Sequence, residues 1–245
     1  MEKSINRLLV FTLACGIFFA GITFLFRNAE HDSISEGDRS FPLCEYIDVS
    51  LARLPVTVIP YDGEEIRAVY KNDLPLDFET GDNSLAIAES NKFVVSLFAG
   101  KKSEFELTLY LPQHIYREIS IYTGSGSIKI GRVDCGQTRL STESGNITCE
   151  NTVALTNITT TSGFINVDFE NVVDGCEILS RKGDAKFTVP GDSSMAVDFE
   201  TDSGKCETEL WNGDPYGSRF YGYNGGNRVI HAVIERGTLV INIVD

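Results

Sequence analysis

The side chains best suited to accept a proton, attack a carbonyl or hold a metal are few. They are three histidines, His31, His114 and His231, and six cysteines, Cys15, Cys44, Cys135, Cys149, Cys176 and Cys206. A zinc site needs ligands at short fixed spacings, as in H-E-x-x-H or paired C-x-x-C, and a calcium loop needs alternating acids. None of these patterns occurs. The run GSGSIKIG (Gly124–Gly131) has the glycines of a phosphate-cradling turn, but the third glycine is misplaced and no helical pattern follows. The expectation is no catalytic residue, no cofactor and no metal site. Recognition chemistry is better represented. WNGDPYGSRFYGYNGGN (Trp211–Asn227) holds the only tryptophan together with Tyr216, Arg219, Phe220, Tyr221 and Tyr223. Aromatic rings stack on sugar faces and anchor protein partners, so Trp211, Tyr216, Arg219, Tyr221 and Tyr223 form the candidate binding surface. The competing reading is a cap or lateral loop that packs its rings on the last strands. Its glycines and proline predict neither strand nor helix over 211–227.

These residues are carried by a repeat. Gly126, Gly145, Gly163, Gly183, Gly204 and Gly237 are spaced by 19, 18, 20, 21 and 33 residues. Two positions after them stand Ile128, Ile147, Ile165, Ala185, Cys206 and Leu239. Five before stand Ile121, Leu140, Ile158, Ile178, Phe199 and Ala232. Three before stand Thr123, Thr142, Thr160, Ser180, Thr201 and Ile234. Positions between are mostly polar, so the period is two on each side of the glycine: strand, corner, strand. Glycine at the corner is expected to supply φ > 0, helped by the serine before it (Ser125, Ser144, Ser162, Ser203). Short strands recurring every 19–20 residues predict stacked coils, each pairing in parallel with the next about 4.8 Å away. The Thr/Ser column then reads either as a ladder of hydroxyls satisfying one another or as plain β propensity. The outward positions mix Thr, Ser, Lys and Asn instead of the clustered acids of a polysaccharide-cleaving solenoid.

Upstream, Ile47-Val49-Leu51, Val56-Val58, Ile66-Ala68-Tyr70, Leu85-Ile87, Phe93-Val95-Leu97 and Leu107-Leu109-Leu111 alternate, with turn signals YDGEE, ETGDNS and AGKK between them. Residues 45–111 are read as degenerate coils plus a cap, 112–208 as regular repeats, 211–227 as an insertion and 228–245 as the last coil. Setting aside Cys15, five cysteines remain, an odd number. Cys149 and Cys206 sit in inward columns three coils apart, roughly 14 Å at the strand spacing, beyond the reach of a disulfide. Buried free thiols are expected.

The segment LTLYLPQHIYREISIYTGSGSIKI, the tandem SG-x-I-x-V phrases and the closing NRVIHAVIERGTLVINIV together resemble the bacterial "putative adhesin" family of β-strand repeat proteins, a domain of unknown function. The resemblance spans about Ile47 to Val244. It implies an all-β fold, a parallel, right-handed β-solenoid, displayed at the cell surface. The chain departs from the family in having Gly-Asp only at Gly183-Asp184 and cysteines in inward columns.

Leu8–Phe26 is an uncharged run of 19 residues, about 28 Å as a helix, which predicts a transmembrane signal anchor. Lys3 and Arg7 precede it and Glu30 and Asp32 follow, so residues 1–7 are expected in the cytoplasm and the rest outside, as a single-pass membrane protein. Residues 27–44 read as a polar linker and 45–245 as the extracytoplasmic domain. The chain carries 21 Lys and Arg against 35 Asp and Glu, a net charge of −14, which argues against nucleic acid. The expected function is a membrane-anchored, non-enzymatic scaffold or adhesion module with a surface glycan or protein partner. The alternatives are an accessory component of an envelope-stress or signalling system and, less favoured, a polysaccharide-acting enzyme.

Overall fold

The alternation seen in the sequence becomes alternation of burial. In Ile147–Thr152 the residues Ile147 and Cys149 are fully buried while Thr148 between them is half-buried, the signature of a strand with one face inward. The computed structural model describes residues 35–89, 105–152, 157–170, 172, 175–191, 195–208, 219–224 and 228–244. Leu8–Phe26 and most of the expected linker lie outside these residues. Among the described residues there is no helix long and apolar enough to cross a membrane.

The strands run in chain order as follows. β1 (Ser35–Phe41) precedes a first coil, β2 (Tyr46–Leu51) and β3 (Val56–Tyr61). β4 (Ile66–Asn72) and β5 (Leu76–Thr80) are followed by a second coil, β6 (Ser84–Glu89) and β7 (Glu106–Pro112). Five coils then follow in series: β8 (Tyr116–Thr123) with β9 (Ile128–Ile130), β10 (Cys135–Thr142) with β11 (Ile147–Thr152), β12 (Asn157–Ser162) with β13 (Ile165–Phe169), β14 (Cys176–Lys182) with β15 (Ala185–Pro190), and β16 (Met195–Glu200) with β17 (Lys205–Thr208). β18 (Arg219–Asn224) stands alone, and β19 (Arg228–Arg236) with β20 (Thr238–Val244) makes the last coil. The coils face one another as two ten-stranded sheets, with one continuous core within residues 35–245.

The aligned columns are reproduced residue by residue. Ile128, Ile147, Ile165, Ala185, Leu239 and Cys206 are register partners along the first sheet, and Ile121, Leu140, Ile158, Ile178, Ala232 and Phe199 along the second. All twelve are buried. The order is not the chain order, however. β19 and β20 lie between the β14/β15 and β16/β17 coils, so the last coil is inserted and the penultimate one is outermost. At the other end β6/β7 stacks outside β2/β3, although β2/β3 comes first. Coils were expected to stack in sequence, and edge protection explains the difference. Thr238–Val244 (TLVINIV) is seven residues of mostly apolar, β-branched strand and would be an aggregation-prone edge. Insertion covers it on both sides and leaves the four-residue Lys205–Thr208 outermost, with Lys205 paired to Glu207.

Three further expectations are corrected. Ser35–Phe41, read as linker, is strand β1 at the end of the first sheet, antiparallel to β4. Its charges are tied down where Arg67 pairs with Asp38. Residues 45–111 contain antiparallel pairs as well as coils: β4 with β7, and β5 with β6 through the ETGDNS turn. Cys149 and Cys206 are four coils apart, since β20 intervenes, and the disulfide remains excluded.

Candidate functional site

The corners are built by a Thr-x-Ser-Gly unit. Thr123 Oγ1 accepts the amide of Gly126 at 2.8 Å, and Thr142 Oγ1 accepts that of Gly145 at 3.0 Å. The Thr142 hydroxyl donates onward to the carbonyl of Gly126, at 3.2 Å. At these two corners the threonine therefore serves the corner backbone and not its own neighbours. Thr160 and Ser180 keep buried hydroxyls with no hydrogen-bond partner. Glycine is required at most corners by crowding, not by φ. A Cβ at Gly145 would overlap the carbonyl of Gly126, one at Gly163 that of Gly145, and one at Gly183 that of Gly163. The pile continues through Gly237 on Gly183 and Gly204 on Gly237, the inserted order again. Only Gly183 (φ 140°) and Gly237 (φ 147°) of the six have the positive φ expected of all.

The reactive side chains are spent inside the stack or in surface pairs. Cys44, Cys135, Cys149, Cys176 and Cys206 are free and buried. Burial pushes the Cys176 and Cys206 thiols up to about 12, and that of Cys149 higher still. They are poor nucleophiles and poor metal ligands in the folded chain. The ring of His114 meets Tyr116 edge-on at 5.4 Å. Tyr116 is fully buried, and its hydroxyl donates to the carbonyl of Pro112. Burial raises its pKa. His231 Nδ1 lies 3.4 Å from Asp198 Oδ2 in an outward row of the second sheet. Among the described residues no three His, Cys, Asp or Glu side chains gather closely enough to hold a metal.

Two surface features remain. The chain passing from β7 to β8 and the corner after β9 enclose a cleft of about 340 Å³, lined by Pro60, Pro112, Gln113, His114, Arg132, Val133 and Asp134. Arg132 is already paired with Glu170 at 3.1 Å, so the cleft's one cation is partly neutralised. The second feature is the aromatic stretch. Trp211 and Tyr216 lie outside the described residues. Arg219, Tyr221 and Tyr223 fall in β18, a strand where a loop was expected. β18 is the last strand of the second sheet and runs antiparallel to β16, with Arg219 at the register of Glu200, Tyr221 at that of Asp198 and Tyr223 at that of Ala196. The row of β16 that should face outward is shielded: Ala196 is wholly buried and the Asp198 side chain is only 14% exposed. The missed signal was compositional. No Asp or Glu occurs from Pro215 to Ile234, in a chain where one residue in seven is acidic, 35 of 245.

No protein with a curated description matches the chain. Among solved structures it is similar to a putative cell adhesion protein from Clostridium sporogenes, with a TM-score of 0.50 and 15% identity over 86% of this chain and 98% of that one. A putative adhesin from Bacteroides fragilis matches with a TM-score of 0.34 and 10% identity, over 86% and 97% of the two chains. The first likeness, at that identity, speaks to the fold alone. The Toastrack DUF4097 family, a domain of unknown function, matches residues 44–156 and 137–218, most of the coils described above. The stacked coils with their glycine corners thus bear out the resemblance read from the repeat, and the chain belongs to the Toastrack DUF4097 family.

Proposed function

We propose that the chain is a membrane-tethered, extracytoplasmic binding or adhesion module without catalytic activity. The observation that carries this reading is the disposition of side chains in the stack. Thiols are sealed in the core, and the outward rows present unlike polar groups in regular ladders, as in Lys129, Thr148, Asn166 and Lys186 along the first sheet. Such a surface suits recognition by many weak, repeated contacts. The Clostridium sporogenes protein of similar fold is described as a putative cell adhesion protein, which agrees with the reading. Leu8–Phe26 supplies the tether, with Lys3 and Arg7 holding residues 1–7 in the cytoplasm. That span contains no charged residue to bind a second membrane protein, which favours a free-standing module over an accessory of a stress-sensing complex.

The test has two arms. Protease added to intact cells should remove the repeat domain and spare the N-terminus, and protection of the domain until lysis would reverse the orientation. The purified 35–245 unit should attach to cells or cell-wall material, and Trp211→Ala with Tyr221→Ala should abolish attachment while leaving the melting temperature nearly unchanged. A clear fall in melting temperature, with attachment kept, would assign the aromatic stretch to capping instead.

A further inference from the structure

We infer that the C-terminal end of the stack is a self-association surface. β18 of one copy pairs antiparallel with β18 of a second, so that two stacks join end to end. This concerns a contact between copies and stands apart from attachment to a foreign surface.

Four strands end the two sheets: β1 and β5 at one end, β17 and β18 at the other. Three are guarded against pairing. β1 carries Glu36 and Asp38 with Arg39, β5 carries Asp77 and Glu79, and β17 is four residues long with Lys205 on Glu207. Charges and shortness are the usual defences of an edge. β18, Arg-Phe-Tyr-Gly-Tyr-Asn, is six residues with no acid, and among the described residues it pairs only with β16. Its other side offers a row of backbone donors and acceptors.

Charge then selects the partner. With a net charge of −14, two copies repel over most of their surfaces. The stretch Pro215–Ile234 is the exception, carrying Arg219 and Arg228 and no acid. Of the four end strands, β18 is the one where close approach of a like copy meets no carboxylate from either strand. Register gives the geometry. A two-fold axis between Tyr221 and Gly222 sets Arg219 opposite Asn224, Phe220 opposite Tyr223 and Tyr221 opposite Gly222. No like charges meet, and aromatic positions pair across the strands. Parallel pairing would set Arg219 on Arg219.

The experiment uses the 35–245 unit, whose core is its own. Sedimentation should show a monomer–dimer equilibrium that tightens with added salt, because salt screens the repulsion of the acidic bodies. Asn224→Arg, which sets Arg against Arg219 of the second copy, should weaken the dimer about ten-fold, because the two-fold axis makes this like-charge cross-strand pair twice. Adding Arg219→Asn to it should restore dimerisation, since the same unlike pair is re-formed with the partners exchanged. Melting curves of each variant guard against loss of β18 itself. For register, Arg219→Cys and Asn224→Cys proteins are oxidised separately and mixed. Only the mixture should crosslink, because like positions lie about 17 Å apart along antiparallel strands. A monomer at all concentrations, crosslinking of either protein alone as readily as the mixture, or a dimer indifferent to Asn224→Arg would each overturn the inference.

Discussion

At the scale of single residues, the five cysteines of the repeat domain behave as small apolar side chains. Cys149, Cys176 and Cys206 occupy inward positions that elsewhere hold Ile, Val or Leu, and burial lifts their thiols far above the usual range. The sign of the resulting pH dependence is fixed. In the unfolded chain these thiols ionise at ordinary alkaline pH, while in the folded chain they stay neutral, so the unfolded state releases protons first and stability falls as pH rises. The stabilisation is complete below the unfolded value and is lost between that value and about 12. Melting temperature should therefore drop between pH 9 and 12, and Cys176→Ala with Cys206→Ala should make the drop shallower. Alkylating reagents at pH 8 should modify none of the five until denaturant is added, and rapid labelling of the native chain would contradict the burial. That Cys149 and Cys206 cannot pair was legible in the sequence, because columns set the coil spacing, whereas the free state of Cys44, Cys135 and Cys176 emerges only from the fold. Which hydroxyls bond to which backbone groups was not legible, since Thr123 or Thr142 satisfies strand propensity and corner bonding alike.

At the scale of the element, the coil corner is where the chain tolerates least. The carbonyl of each corner glycine sits against the α-carbon of the next, an arrangement repeated from Gly126 to Gly183 and on through Gly237 to Gly204. Gly145→Val would drive a branched side chain into the carbonyl of Gly126, and the stack cannot separate locally without breaking ladder bonds on both sheets. The expected loss is about 1–3 kcal/mol, as for an overpacked interior. Thr148→Val, half-buried on the outer side of the same coil, should change stability by less than about 0.5 kcal/mol. Equal melting temperatures for the two would remove the crowding account. The sequence pointed to glycine at these positions for the wrong reason. A φ above zero and a contact too close for a Cβ leave the same residue in the same column, and only the stacked backbone separates them.

For the whole molecule, the alignment of columns was legible but their order in space was not. Every coil offers Ile, Leu, Val or a small substitute at the same offsets, so any coil satisfies any neighbour in the core. The order is decided by what is left outside. A short, charged Lys205–Thr208 can be an edge, and the apolar Thr238–Val244 cannot. Removing residues 228–244 tests this. If that coil were outermost, its loss would leave a shorter, soluble stack. Because it lies between two coils, its loss uncovers β14 and β15 and strips β16 and β17 of their parallel neighbours. The truncated chain should elute as aggregates in size-exclusion chromatography, and a soluble monomer with a cooperative melt would refute the inserted order. The same topology bears on synthesis. Residues 228–244 leave the ribosome after the coils on both sides of their slot, so the β14/β15 and β16/β17 units must wait, apart, for a segment not yet translated. A polypeptide interrupted anywhere before Arg228 carries that vacancy permanently, exposing sticky parallel edges that chaperones and proteases recognise. The stack thereby makes synthesis through Val244 a condition for closing its own edges.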